Sequence, residues 1–408
     1  YLEKFGIIFS AYTDKTKTCY HFTCPPTLSN LKRVCIVANE MLFHMKIKDK
    51  DIEIERNIIR QEHNTDNDNI TKTFYSLMDT HYFKNHPLQY TIDGNLNTIN
   101  NITKTDLLQH YNNYYTPNNI KIALIGNIPK GYFNIINNTF GKLNLQKKTK
   151  KKTLSENNFI SNSRSLTIKS KNNKKKKSYL DEEKRNNMIQ QILEEEKNNM
   201  IQFATVKPYH SRNEKTNTTN KINYYYKPHI NQSQICYLFG SNGITSPDYF
   251  MINIIADIIG GQGRFSNKFF NLLREKYGLT YRIYTGQTQY IEGGYMYIYI
   301  KTEHHDVKKG IDIISKELKS YIKNGLINNK ELKEFKSNMI EKCKTLLDDY
   351  ENLEHIYLDS LIYRFKNYNL KQHLDRIKKL NTTDINNFCK TLLHENNYQI
   401  IVLGKNKT

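Results

Sequence analysis

Two distant stretches of this chain match each other without a gap, and this internal repeat constrains the fold more than any other feature. Residues 102–126, ITKTDLLQHYNNYYTPNNIKIALIG, align with residues 380–404, LNTTDINNFCKTLLHENNYQIIVLG. Each stretch predicts a helix, an Asn-Asn turn and a buried strand that ends at glycine. The chain is therefore predicted to be α+β, with two similar domains in tandem. The identical pairs are Thr105/Thr383, Asp106/Asp384, Asn118/Asn396, Asn119/Asn397, Ile122/Ile400 and Gly126/Gly404.

The local patterns on both sides of the chain predict further strands and helices. Ser29 is predicted to cap a helix that begins there, and 120–125 is predicted to be a buried strand. The other predicted strands are 5–13, 18–24, 234–241 and 290–303; the predicted helices are 29–45, 103–115, 249–259 and several within 306–370.

A change in composition divides the chain at residues 147–221. This segment is rich in Lys, Asn, Ser and Thr and has few periodic apolar residues, so it cannot bury enough surface to fold alone. Its part 179–202 is predicted to form a charged helix. The predicted domains are thus 1–146 and 222–408, joined by an insertion or linker at 147–221.

Net charge and cysteine usage limit the classes of function. The net charge is +21, but runs such as KKTKKK (147–152) and KKKK (174–177) carry much of it. No aromatics are interleaved with them, so specific nucleic-acid binding is not predicted; salt-sensitive binding through these runs is the rival hypothesis. The six cysteines form no CxxC motif and are predicted to be free thiols in a reducing compartment. No apolar run approaches the ~20 residues of a membrane span, and no signal peptide is visible.

The stretch IERNIIRQEHN, residues 54–64, contains two glutamates seven positions apart, Glu55 and Glu62. On a helix they lie on one face, while Ile54, Ile58 and Ile59 form another stripe that would face a core. Two interpretations stay open. The glutamates are either a solvated edge or half of a metal site whose other ligands lie elsewhere.

Several phrases together resemble the pitrilysin/insulinase family of inverted zincins, in particular mitochondrial processing peptidase and the bacterial processing proteases. In the first half these phrases are FSAYTDKTKTCYHF, IERNIIRQE, HPLQYTIDGNLNTINNIT and LLQHYNNYYTPNNIKIALIGNI. In the second half they are IIGGQGRFSNKFFNLLREKYGLTYRIYT and EGGYMYIYIKT. The resemblance covers both predicted domains. It implies two domains, each a mainly antiparallel sheet packed with helices, that enclose a chamber.

The resemblance also implies roles for the two glutamates. Glu62 matches the third zinc ligand and Glu55 the supporting acid two turns before it. The other two ligands, histidines of an HxxEH motif, are absent from the chain, and the resemblance places them before Tyr1. A chain truncated at its front and a non-catalytic family member both account for this absence.

The remaining site residues implied by the resemblance concern substrate. Ser10, Ala11 and Tyr12 match an edge strand to which such enzymes add the peptide as a further strand. Ser10 departs from the family's asparagine, and its hydroxyl replaces only part of the amide's hydrogen bonding. Arg274 and Tyr281 match a pair from the second domain that would hold the peptide and donate toward the oxyanion. A surface arginine and a packed tyrosine are the alternative.

The sequence thus predicts a zinc-dependent metalloendopeptidase that cleaves peptides or presequences, inactive as the 408 residues stand. A non-catalytic subunit that recognises peptides or acts as a scaffold is the alternative. A homologous partner subunit is implied by the resemblance, as is an organelle, mitochondrion or plastid, with the cytoplasm as the alternative.

Overall fold

The computed structural model describes residues 1–141, 222–261, 267–345, 349–363 and 370–405. It confirms an α+β fold with two similar halves, here called the first half (1–141) and the second half (222–405). The predicted insertion at 147–221, with its helix at 179–202, lies outside the described residues. The strands are β1 (Ile8–Thr13), β2 (Thr18–Thr23), β3 (Ile222–Tyr226), β4 (Ser233–Ser241), β5 (Ile283–Gln289), β6 (Gly294–Thr302) and β7 (Tyr398–Gly404). The helices are α1 (Leu28–Phe43), α2 (Asp49–Asp68), α3 (Ile70–Tyr82), α4 (Leu96–Asn101), α5 (Lys104–Tyr114), α6 (Tyr132–Thr139), α7 (Tyr249–Gly260), α8 (Val307–Asn324), α9 (Asn329–Thr345), α10 (Tyr350–Ile362), α11 (Leu370–Lys379) and α12 (Thr382–Leu392).

The second half is built on a five-stranded sheet in the order β3-β7-β4-β6-β5. β3 and β7 run parallel and the other neighbours antiparallel, as the sequence predicts for a mainly antiparallel sheet. β4 is buried on both faces because successive side chains point to opposite sides and both sides are covered. Ile235 and Tyr237 point into one core, and Cys236 and Leu238 into another.

The core on the first face belongs to the second half alone. Its members come from β4, β6 and β7 together with α7, α8 and α12. The Tyr237 hydroxyl, inside this core, donates to the Ile311 carbonyl at 2.9 Å, so the buried phenol is satisfied. The helix predicted at 249–259 is α7, and it lies against β5, where Thr285 Oγ1 donates to the Ala256 carbonyl at 2.6 Å.

The core on the second face joins the two halves. Phe74 and Met78 of α3, both fully buried, pack on Cys236, Leu238 and Tyr299 of the sheet. Polar contacts flank this core: the Tyr295 hydroxyl donates to Asp79 at 2.6 Å. This packing fixes α3 of the first half on the sheet of the second.

Helix α10 repeats this arrangement in the opposite direction, from the second half onto the β1–β2 hairpin. Both α3 and α10 have thirteen residues, and both carry an aspartate at the tenth position, Asp79 and Asp359. Each aspartate pairs at 2.6 Å with a lysine of the turn between β1 and β2, Lys15 and Lys17 respectively. Helix α3 thus packs on the sheet of the second half, and α10 is tied to the hairpin of the first half through Lys17.

The internal repeat is confirmed in its helices but not in its strands. Thr103 caps α5 and Asn381 caps α12, each accepting from the backbone N–H of an aspartate. The second copy continues into β7, whereas 120–125 forms no strand, so that prediction is wrong. β7 is hydrogen-bonded between β3 and β4. Counterparts of β3 and β4 are missing from the described part of the first half, which leaves 120–125 without neighbours.

Three further predictions concern the cap of α1, the cysteines and membrane-spanning helices. The cap of α1 is Thr27 and not Ser29. Thr27 has an extended backbone and its side chain accepts from the Asn30 N–H at 3.2 Å, whereas the Ser29 hydroxyl accepts from Arg33. All six cysteines are free, as predicted. Among the described residues, no helix has the length and apolar character to cross a membrane.

Candidate functional site

The predicted substrate strand is β1, and one of its edges is open. Among the residues that the structure describes, β1 pairs with β2 alone, with Ser10 opposite His21 and Ala11 opposite Tyr20. At the turn the Asp14 N–H donates to the Lys17 carbonyl at 2.9 Å, which marks that pair as hydrogen-bonded. Because hydrogen-bonded pairs alternate along an antiparallel ladder, the Ala11 N–H and C=O point away from β2. The edge can therefore accept a further strand through Ala11.

The equivalent strand of the second half supports the interpretation of β1 as a true sheet edge. Two hairpins correspond, β1–β2 and β5–β6, and β5 is the terminal strand of the five-stranded sheet. Completing the first half on the pattern of the second would thus add strands beside β2 and leave β1 open.

The three substrate residues differ in their surroundings. Ser10 and Ala11 are exposed. Tyr12 is half-buried, with its hydroxyl 3.1 Å from Nδ1 of His355 on α10. Burial raises the pKa of Tyr12 above its ordinary value, so the phenol stays neutral. Its side chain faces the second half, and by the same alternation its backbone N–H and C=O point toward β2, so Ala11 offers the free backbone groups at this part of the edge.

The two glutamates lie on α2 and are exposed, on one face as predicted. The expectation for the apolar stripe is wrong for Ile54, which is 48 % exposed, and for Ile58, which is 43 % exposed, whereas Ile59 is half-buried. The half-buried side of α2 carries arginines beside Ile59. Arg56 donates to the Ile102 carbonyl at 2.9 Å, at the C-terminal end of α4. Its aliphatic stem can lie along α4 while the guanidinium reaches that carbonyl.

His63 adjoins Glu62 but turns away from it. Its Nδ1 lies 2.5 Å from Oδ2 of Asp93, so its ring is engaged away from Glu62. In the part of the chain that the structure describes, neither Glu55 nor Glu62 belongs to a group of three potential ligands. Glu62 alone does not form a zinc site, which requires three protein ligands.

Arg274 and Tyr281 are brought together at the end of a π-helical turn, Phe270–Lys276. Gly278 follows it with a positive φ of 60°, a left-handed conformation that glycine adopts readily at a helix end. The Arg274 guanidinium lies 4.6 Å from the centre of the Tyr281 ring. Tyr281 is 76 % exposed and borders a depression of about 350 Å³ with Gln232, Arg282 and Lys301 as the other lining residues. The pair is therefore a surface stack of a cation on a ring.

One group of side chains escaped the sequence analysis. Cys19 and His21 of β2 meet Glu354 of α10, with their ligand atoms all within 4.8 Å of one another. The spacing of Cys19 and His21 on a strand already places them on one face. No sequence signal connects them to Glu354, which is 335 positions from Cys19.

Comparisons with known proteins agree with this architecture. The family profile described as Insulinase (Peptidase family M16) matches residues 1–95, and the profile described as Peptidase M16 inactive domain matches residues 101–339. The mitochondrial-processing peptidase subunit beta of Caenorhabditis elegans is 28 % identical over 127 residues, which is 31 % of this chain and 27 % of that protein. The uncharacterized zinc protease YmxG of Bacillus subtilis is 20 % identical over 393 residues, 96 % of this chain and 80 % of that protein.

A solved structure shows the same fold. A protease from Helicobacter pylori superposes with a TM-score of 0.73 at 14 % identity, over 98 % of this chain and 82 % of that one. The profiles together cover most of the first half and the second half as far as residue 339. The chain belongs to the insulinase family of peptidases, M16.

Proposed function

We propose that this chain is part of a zinc-dependent metalloendopeptidase that cleaves peptides or presequences. The open outer edge of β1, held within an M16 fold, is the observation that carries the proposal. An extended peptide pairs with such an edge through its backbone, so one site accepts many sequences in one shape. In this proposal Ser10, Ala11 and Tyr12 bind the peptide, Glu62 is a metal ligand and Glu55 orients the site.

The two histidines and the general-base glutamate of an HxxEH motif do not occur in the 408 residues, so no catalytic step is assigned to them.

Arg274 and Tyr281 are proposed to contact the substrate from the second half. The guanidinium presents several donors to a peptide carbonyl or carboxylate, and the stacked ring restricts its orientation. The exposed Tyr281 hydroxyl is free to turn toward an oxyanion.

A specific observation favours the alternative of a non-catalytic subunit. Glu62 has no co-ligand within the described residues, while the peptide-binding edge is complete. Such a subunit would hold a peptide for a homologous, catalytic partner. The relative named subunit beta carries a name that implies at least one further subunit.

Peptide binding at the edge of β1 is tested by Ala11→Pro. Proline removes an N–H that points away from β2, so the hairpin survives while one bond to the peptide is lost. We expect affinity for a fluorescently labelled, unstructured peptide to fall about tenfold, equivalent to one backbone hydrogen bond of ~1.4 kcal/mol. Fluorescence anisotropy measures this.

Ala11→Thr is the matched control, because it changes the side chain and keeps the N–H. It should bind the peptide within about twofold of the wild type. Equal affinities of the proline and threonine variants, or a wild-type chain that binds no peptide, would contradict the proposed edge.

A further inference from the structure

The cluster of Cys19, His21 and Glu354 lies where the two halves meet, apart from Glu62; on the hairpin, Cys19 is the cross-strand partner of Tyr12 and His21 that of Ser10. Cys19 Sγ donates to Glu354 Oε1 at 3.4 Å, and His21 Nδ1 lies 3.8 Å from the same oxygen. Cys19 is 8 % exposed, and the side chains of His21 and Glu354 are 33 % and 25 % exposed. A sulfur, an imidazole nitrogen and a carboxylate oxygen thus converge in a partly buried space.

The spacing of these atoms suits a tetrahedral metal ion. Bonds of about 2.3 Å to sulfur and about 2.0 Å to nitrogen and oxygen give ligand-to-ligand edges of roughly 3.3–3.6 Å. The two distances to Glu354 are already 3.4 and 3.8 Å, and the third pair is within 4.8 Å. Small side-chain rotations would close the triangle around an ion and leave a fourth position for water.

In the equivalent helix α3, the position that corresponds to Glu354 is occupied by an aromatic residue. Phe74, the fifth residue of α3, packs on Tyr299 with ring centres 5.5 Å apart, and its neighbour Tyr75 stacks on the same ring. The fifth residue of the equivalent helix α10 is Glu354. The first-half hairpin therefore meets a carboxylate where the second-half sheet meets an aromatic side chain. Burying such polar groups is costly unless they are well satisfied.

The charges also balance for a divalent ion. Binding would release the Cys19 thiol proton to solvent, and the thiolate and carboxylate would together neutralise a charge of +2. Sulfur and imidazole ligands select zinc and similar transition metals over magnesium or calcium.

We propose that Cys19, His21 and Glu354 bind a divalent transition metal of the zinc type, which ties the β1–β2 hairpin of the first half to α10 of the second. The site is separate from Glu62 and stands whether or not the chain is part of a catalytic enzyme.

Cobalt(II) is the probe, because a cysteine thiolate bound to it gives a charge-transfer band in the near ultraviolet. Tag-free, metal-stripped chain is titrated with cobalt chloride, then with zinc chloride as competitor. We expect the band to saturate at one equivalent and to disappear when zinc displaces cobalt. Absence of the band would overturn the proposal.

The variants assign the ligands. Cys19→Ala should abolish the band and lower cobalt affinity on the order of a hundredfold or more. Mutation of residues that only hydrogen-bond to metal ligands already lowers metal affinity about 10–100-fold. Glu354→Gln should weaken binding while keeping the side-chain shape, and it decides the matter if Cys19→Ala fails to fold. Cys35→Ala, at a buried cysteine outside the cluster, should bind as the wild type does. A band that survives Cys19→Ala, or that is lost in Cys35→Ala, would contradict the assignment.

Discussion

The 408-residue chain is expected to show no peptidase turnover and to hold no metal through Glu62. Glu62 is exposed on α2, and in the described ranges it has no neighbouring ligands, so one carboxylate would release zinc readily. Fluorogenic peptide cleavage and metal content of the purified chain and of Glu62→Gln test this. Both should show the same background rate.

Any zinc that remains in the purified chain should be bound at the site of Cys19 and not at Glu62 on α2. It should be lost in Cys19→Ala and kept in Glu62→Gln. Turnover that disappears in Glu62→Gln would mean that the chain completes a zinc site with residues other than those described, and the expectation would be wrong.

Phe74→Ala is expected to destabilise the fold by about 3–5 kcal/mol. Phe74 is fully buried and packs on Tyr299 across the boundary between the halves, so its removal leaves a cavity where they dock. Denaturation in urea, followed by circular dichroism, measures the loss of free energy of unfolding.

Tyr114→Ala is the matched control, since Tyr114 is 55 % exposed on α5. Truncating an exposed aromatic side chain should change stability by about 0.5 kcal/mol or less. Equal effects of the two substitutions would mean that α3 does not hold the halves together.

Local signals explain which parts of the fold could be predicted. The caps are Thr103 and Asn381, each with an aspartate three residues later. They fix the starts of α5 and α12 within a few residues. A strand depends instead on neighbours that supply its hydrogen bonds. The same apolar pattern therefore gives β7 in one half and no strand at 120–125 in the other.

The candidate site, too, could be predicted from the sequence only in part. Helical spacing correctly placed Glu55 and Glu62 on one face of α2. It failed for Ile54 and Ile58, because an apolar stripe is buried only where another element covers it, and the half-buried side of this helix carries Arg56 and Ile59 instead. The meeting of Cys19 with Glu354 is a tertiary contact, for which neither spacing nor periodicity offers a signal.

The central claim is that Glu62 is the distal ligand of a peptidase zinc site. It is tested most directly in the protein produced with whatever native residues precede Tyr1. We predict that this protein binds zinc and cleaves peptides, and that Glu62→Gln lowers kcat/KM by more than about a hundredfold together with zinc content. Glu53→Gln, an exposed neighbour on the same helix, should leave both unchanged. Zinc content and cleavage that are equal in Glu62→Gln and the wild type would contradict the claim and leave the glutamates of α2 as a solvated edge.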